Sequence, residues 1–471
     1  MYKPIVVLLL ALIFAGNLPG QYISEVFEYK PAPGQLINTE PWGTPSAANT
    51  IVGGVTGNLS LGSFGGYVIF TFDSPVENHP DNPFGVDFTI FGNPSIDWAE
   101  HGIVSVMKDE NGNGLPDDTW YELAGSDYHF STTIKSYEVT YTNPGGSGAA
   151  DVPWEDNQGN SGVVVSNEHH AQPYYPLADS FPDISPVEYT LEGTRVANEV
   201  DLSGQIQINS YKKAFGYADN QLRGSAPYTV PDNPYTAEKE NSGGDAFDIH
   251  WAVDENGSYV NLDEIHFVRV HNAILAQAGW LGEISTEITG AVDVAPNSAI
   301  TGTEELIVIN QLPDTIVGNS YHLEALPLVQ GRVNDAETLI WSANLEGVSV
   351  DSENMMTFTT SGDLTLTATL TGNPDITISV STVLVYDDGT SVREAENRNI
   401  HIFPNPATDR IQVKGVSSAV IHIYDFSGKL VLSQKQTFMN TPVDLGELDP
   451  GLYLLRIEGD TVQKTIRLIK E

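Results

Sequence analysis

Between Ile103 and Tyr128 the chain reads IVSVMKDENGNGLPDDTWYELAGSDY, and its middle carries a dense set of oxygen ligands. Asp109, Asn111 and Asn113 recur at every second position, Gly114 permits a sharp turn, Leu115 offers its carbonyl, and Asp117 and Asp118 close the loop. A hard divalent cation such as calcium takes about six to eight oxygens of these kinds. The first half fits D-x-[DN]-x-[DN]-G, but the twelfth position is Trp120, where an EF-hand carries a bidentate Glu. The loop is therefore not an EF-hand. Asn, Gly, Pro and Asp are also the ordinary residues of a solvated turn. Three carboxylates in one short loop repel each other without a counter-ion, and this favours a metal. The expectation is a structural calcium site in a long connection between two strands, ligated by Asp109, Asn111, Asn113, the Leu115 carbonyl and the Asp117–Asp118 pair.

The same D-x-N-x-N-G-x-x-D-D spacing resembles the loops of dockerin and thrombospondin-type calcium repeats. A second group of residues suits recognition. Between Asp151 and Tyr235 a polar, Pro- and Gly-rich stretch carries Trp154, His169, His170, Tyr174, Tyr175, Tyr211, Phe215, Tyr217, Tyr228 and Tyr235 beside Asp156, Asn157, Gln172, Asp219 and Asn220. The apolar face of a sugar stacks on an aromatic ring while its hydroxyls need paired partners. These residues therefore predict a glycan-binding surface with Trp154, Tyr174, Tyr175 and Tyr217 partly exposed, although each ring taken singly is as well explained by packing. His266 and His271, five apart, face opposite ways on one strand and cannot share a metal. Asp245, Asp248 and Glu283 are candidates for a second cation, against the plain alternative of solvated carboxylates.

The chain has no G-x-S-x-G, H-E-x-x-H or phosphate-cradling loop. Paired carboxylates mean little among 62 acidic residues. A binding protein is the leading expectation, a secreted glycan-active hydrolase the second, and a structural or adhesion protein the third. The formal charge of −41 excludes nucleic acid as a natural partner. With no cysteine, neither a disulfide nor a thiolate site is available.

The elements that must position these groups are strands. From about Ser24 to Val294, short alternating runs such as GYVIFTFDSPV (Gly66 to Val76) and FGVDFTIFGN (Phe84 to Asn93) are separated by Gly, Pro, Asn and Asp. The expectation over 22–294 is a large β-sandwich of jelly-roll type. Gly243 to Asn272 reads as two strands around DENGS. Residues 304–386 repeat the rhythm on a smaller scale around Trp341 and predict an immunoglobulin-like sandwich without its disulfide. Residues 387–399 read as a linker. The chain is thus expected to be all-β throughout.

Residues 1–21 carry an early Lys3, the run IVVLLLALIFA and small residues, the layout of a secretory signal peptide cleaved between Gly16 and Gln21. No Cys follows to carry a lipid, and the mature chain is expected to have no transmembrane span. Residues 400–471 differ in composition, with eight basic and eight acidic side chains against 13 and 54 before them. Their turns are set by Pro404, Pro406, Gly428 and Gly451.

Two resemblances complete the reading. GSFGGYVIFTFDSPV, DFTIFGN, KDENGNGLPDDTWYELAGSDY and GWLGEISTEITGA resemble a group of cell-surface proteins of Bacteroidota over most of 62–294, which implies a surface setting and ligand binding, for a glycan or another nutrient such as a corrinoid. IHIFPNPATDRIQV, IHIYDFSGKLV, DLGELDPGLYLLRI and KTIRLIK resemble, in order, the type A C-terminal sorting domain of the type IX secretion system. That resemblance implies a small β-sandwich at 400–471, interaction with the type IX machinery, and a secreted or outer-membrane-surface location.

Overall fold

The structure, a computed structural model, describes residues 21–203, 208–387, 401–414, 419–425, 429–436, 442–446, 448–458 and 463–470. Nearly all of the expected signal peptide and linker, and Gly428, lie outside the described residues. The chain divides into two units. One holds the described residues up to Asn310 with Glu324–Ile340 and Ala368–Ile378, and the other holds Gln311–Leu323, Trp341–Thr367 and the described residues from Ser379 onward.

The first unit is built on a six-stranded antiparallel sheet in the order Ile23–Lys30, Tyr67–Glu77, Glu264–Asn272, Gly102–Met107, Trp120–Leu123 and Ala252–Val253. The two-residue period sends Val68, Phe70 and Phe72 inward beside Val104, Val106, Val268 and Val270. There they join Phe88, Ile90, Phe247 and Ala291 from a three-stranded sheet of Asp245–Phe247, Phe88–Phe91 and Gly290–Asp293. Phe88 and Phe247 stack with centroids 5.3 Å apart. The opposite face of the six-stranded sheet is covered too, by Ile69, Met107 and Phe267 packed with Phe27 and Trp120. This explains why Gly102–Met107 is buried at every position.

A four-stranded sheet, ordered Glu188–Arg195, Ile134–Thr142, Val152–Asp156 and Ser161–Val164, carries a second core in which Tyr137, Val139 and Tyr141 meet Phe64, Tyr174 and Tyr175. The two strands predicted around DENGS are Asp245–Phe247, in the three-stranded sheet, and Glu264–Asn272, in the six-stranded one, with a 3-10 turn at Ile249–Trp251 and the short strand Ala252–Val253 between them. Asp254 ties the DENGS turn by accepting from the N–H groups of Asn256 and Ser258, each at 2.9 Å.

The boundary expected at 304 is displaced. Glu305–Ile309, Ala325–Val329 and Arg332–Val333 form a sheet whose Leu306, Val308 and Leu328 belong to the first unit's core. Leu306, Ile307 and Val308 are all buried, so this run is covered on both faces and cannot alternate toward solvent. An immunoglobulin-like sandwich, most of whose residues fall in the second unit, has one sheet ordered Thr315–Gly318, Thr377–Tyr386, Gly362–Leu370 and Leu339–Ala343, and another ordered Ser320–His322, Met355–Phe358 and Val348–Val350. Ile316, Met356, Phe358, Leu366 and Leu384 fill it, with Trp341 packed alongside. At the C-terminus, a three-stranded and a four-stranded antiparallel sheet enclose Ile411, Val413, Ile421, Ile423, Leu455 and Leu468.

Candidate functional site

The Asp109 loop joins the paired strands Gly102–Met107 and Trp120–Leu123, as the sequence predicts. Asp109 folds it: its carboxylate accepts from the N–H groups of Gly112 at 2.7 Å, Asn113 at 3.2 Å and Gly114 at 2.8 Å. The Gly114 N–H foremost, then those of Gly112 and Asn113, hold the Asp109 carboxyl below its usual range. The Asn111 amide donates to Asp117 and Asp118, both at 3.2 Å, and the Asn113 amide donates to Asp117 at 3.0 Å. All five predicted ligand side chains are thus drawn into one exposed knot. The sixth group, the Leu115 carbonyl, accepts from the Asp117 N–H at 2.9 Å.

The aromatic surface expected between Asp151 and Tyr235 is corrected by the fold. Tyr174, Tyr175 and Tyr217 are 1%, 2% and 1% exposed, and Phe215 and Tyr235 are buried as well. The first three can be buried because each hydroxyl has a protein partner: the Tyr174 and Tyr217 hydroxyls accept from the N–H groups of Asn167 and Asp127, and the Tyr175 hydroxyl donates to the Ser185 carbonyl. A ring in this state packs and does not stack on a ligand. Trp154 is half-buried, its indole against Gly162, where a Cβ would come within 2.6 Å of the ring. Asp156 accepts from Tyr137 at 2.6 Å and anchors the turn to Asn160, while the Asn157 amide donates to the Ser136 carbonyl. His169 is exposed and His170 half-buried. With Tyr174, Tyr175, Tyr217 and Asp219 in the interior, the predicted residues do not make up one exposed surface.

His266 and His271 take separate roles, as their spacing requires. His266 Nδ1 accepts from the Asp109 N–H at 3.3 Å, and His271 Nε2 pairs with the Thr194 carbonyl at 3.1 Å. Burial, then the Arg269 charge, pushes His271 down to about 3, so its ring is neutral. Asp245, Asp248 and Glu283 are not brought together. Asp245 accepts from the N–H groups of Asn220 and Gln221, and Asp248 from that of His250, so two of the three are spent on backbone turns.

Tertiary structure assembles a different group. Glu100, Asp219 and Glu287 are all buried, and each offers an oxygen within 4.8 Å of the others, the one such trio among the described residues. Glu100 sits just before the strand Gly102–Met107, Glu287 lies in the short strand Glu287–Ile288 paired with Leu59–Ser60, and Asp219 stands at φ 58°. Asp219 binds the N–H groups of Asn93 and Glu287, each at 2.9 Å. Its approach requires Gly92, because a Cβ there would lie 2.1 Å from the Asp219 carboxylate. The Glu100 carboxylate accepts from the Ser285 N–H at 3.1 Å and is also hydrogen-bonded to the Trp98 indole and to Glu287. Burial raises all three carboxyls, and mutual repulsion raises Asp219 and Glu287 further.

Glu100 and Glu287 also line a cavity of about 510 Å³. Its walls include Trp42, Trp98, Leu281 and Glu283. Burial lifts Glu283 to about 8. Of the predicted site residues, Asp219 alone belongs to this trio and Glu283 alone lines this cavity. Trp42, Trp98, Glu100 and Glu287 went unmarked, since nothing local sets a lone Trp or Glu apart. The one usable signal is GWLGEISTEITGA, in which two acidic residues interrupt an otherwise strand-like run.

Residues 401–471 match the secretion system C-terminal sorting domain family. The described residues among them form the two sheets given above, and the sorting domain marks the protein for export by the type IX system to the cell surface. No helix among the described residues is long and apolar enough to cross a membrane. No curated protein sequence matches the chain. Among solved structures, the N-terminal four Ig domains of Dscam1 are 12% identical, with 46% of this chain and 65% of that one covered at a TM-score of 0.15. Surface layer protein SbsC is 10% identical, with 86% and 52% covered at 0.20. PorZ of Porphyromonas gingivalis, a surface component of its type IX secretion system, is 13% identical, with 91% and 54% covered at 0.15. The chain spans less than two thirds of each of these structures, and scores this low do not establish a shared fold.

Proposed function

We propose that the first unit is a surface-displayed binding domain for a saccharide or a similarly hydroxyl-rich nutrient, taken up in the cavity between Trp42 and Trp98. One observation carries this reading: two indoles and several hydrogen-bonding carboxylates line a single cavity of about 510 Å³. That volume lies within the range of about 300 to 1,000 Å³ typical of small-molecule sites. Indole faces suit the apolar side of a sugar ring, and carboxylates suit its hydroxyls. The sorting domain supports the reading by placing the protein where extracellular nutrients are met.

A glycan array probed with the exported chain, with and without calcium, tests it. Retention of a defined saccharide, weakened severalfold by Trp42→Ala, is the expected result, since one stacking ring contributes about 0.5 to 1.5 kcal/mol beyond area burial. Retention unaffected by Trp42→Ala would place the site elsewhere. Release of shortened products would make the protein a hydrolase, and no retention at all would leave a structural or adhesion role.

We further propose that the Asp109 loop holds a calcium ion that stabilises its hairpin. The amides of Asn111 and Asn113 then turn their oxygens, in place of their nitrogens, toward the centre that Asp117 and Asp118 share. Calcium should raise the melting temperature of the first unit, and Asp109→Ala should remove the loop's share of that rise, because it deletes the carboxylate around which the loop is wound. Scanning calorimetry with calcium and with chelator reads this directly, and superimposable wild-type traces would reduce the loop to an acidic turn.

A further inference from the structure

We propose that Glu100, Asp219 and Glu287 form a binding site for a hard divalent cation, calcium by its donor set, at the wall of the Trp42–Trp98 cavity. The three residues come from distant parts of the chain, yet their oxygens lie within 4.8 Å of one another. Oxygens on one calcium ion, each about 2.3 to 2.6 Å from it, are separated by at most about 5 Å, so the trio already has the span of a coordination sphere. All ligand atoms are carboxylate oxygens, the donors such an ion selects.

Charge balance points the same way. Three buried carboxyls face one another, relieved by the one proton that a Glu100–Glu287 hydrogen bond holds, and no lysine or arginine forms an ion pair with any of them among the described residues. Buried carboxylates are ordinarily paired or metal-bound. An independent observation comes from Glu283, 2% exposed, on the wall of the same cavity. Its Oε1 accepts from the Gln35 N–H at 2.6 Å, whereas its Oε2 is buried with no hydrogen-bond partner. Buried polar atoms in native proteins are seldom left so, and an open carboxylate oxygen on the cavity wall that Glu100 and Glu287 also line is what a cation there would help to satisfy.

Three carboxylates leave part of a coordination sphere of about six to eight oxygens open, and two of them, Glu100 and Glu287, also line the cavity, from which further oxygens can come. Water fills those positions, or adjacent hydroxyls of a bound saccharide do. Only this last step rests on the saccharide reading; the cation site itself does not need it.

Crystals of the unaltered full chain, grown without saccharide and with terbium in place of calcium, provide the first test. The expected result is an anomalous peak about 2.3 to 2.6 Å from oxygens of all three residues. A map with no peak there, whatever the Asp109 loop holds, overturns the inference. In solution, calorimetric titration with calcium should show one ion fewer per chain for the near-isosteric Glu287→Gln than for wild type, and an unchanged count overturns it. A peak at the trio with a blank glycan array supports the cation site and removes the saccharide. Saccharide retention that survives both chelation and Glu287→Gln supports the saccharide reading and overturns the step that seats its hydroxyls on the ion.

Discussion

Two acidic clusters lie in the same unit and are built in opposite ways. The Asp109–Asp118 loop is contiguous in sequence, exposed, and held by backbone N–H groups and its own amides. The Glu100, Asp219 and Glu287 trio is scattered in sequence, buried, and held by strands and a glycine. In the loop, water screens the charges, so the fold tolerates them whether or not an ion sits there. In the trio, desolvation makes charge costly, and the surrounding fold is committed to it. Local spacing therefore reveals the first kind of cluster, whereas the second exists only once the chain has closed around it.

The largest expected difference between exposed and buried charge lies at Lys213. Its ammonium is buried between Asp127 at 2.6 Å and Glu199 at 2.7 Å. Lys213→Met leaves both carboxylates unpaired and should cost about 3 to 5 kcal/mol. Lys108, 2.6 Å from the exposed Asp263, is the counterpart. Lys108→Met should fall within the error of the same denaturant titration, because an exposed pair gains little. Comparable losses at the two sites would erase the distinction.

Glycine substitutions sharpen it at smaller scale. Gly92→Ala drives a Cβ into the Asp219 carboxylate and should cost about 1 to 3 kcal/mol by overpacking. At Gly114, φ is 73° and nothing lies within 4 Å of an added Cβ, so Gly114→Ala should cost only the conformational penalty of about 1 to 2 kcal/mol. If Gly92→Ala proved neutral in thermal melts, Asp219 would be free to move and the trio would lose its fixed geometry.

The pH dependence should differ in sign. Burial raises Asp245 to about 8 and Asp87 to about 7. Folded, these groups keep protons that the unfolded chain releases above about pH 3.9, so their contribution is full below that pH and is lost as pH rises through 7 and 8. The lowered Asp109 acts oppositely: its contribution is present above the unfolded value and is lost as pH falls through the folded one. Denaturant midpoints of the first unit in chelator should therefore decline between about pH 4 and pH 8. A rising profile would mean that the buried carboxyls are ionised and paired.

Sequence alone determined the features that depend on near neighbours. Two-residue alternation gave Tyr67–Glu77 and Glu264–Asn272, the oxygen spacing gave the loop between paired strands, and four motifs in order gave the sorting domain at 401–471. Where a segment is covered on both faces, as at Leu306 to Val308, alternation vanishes and the domain boundary was misplaced. Only the tertiary structure decided which polar-looking residues face ligand and which face core. Tyr174, Tyr175 and Tyr217 sit in a polar stretch, yet each finds an internal hydrogen-bond partner and packs. Glu100, Asp219, Glu283 and Glu287 look like any of 62 acidic residues until folding removes their water. Desolvation and convergence depend on contacts between distant segments, and no residue carries either property by itself.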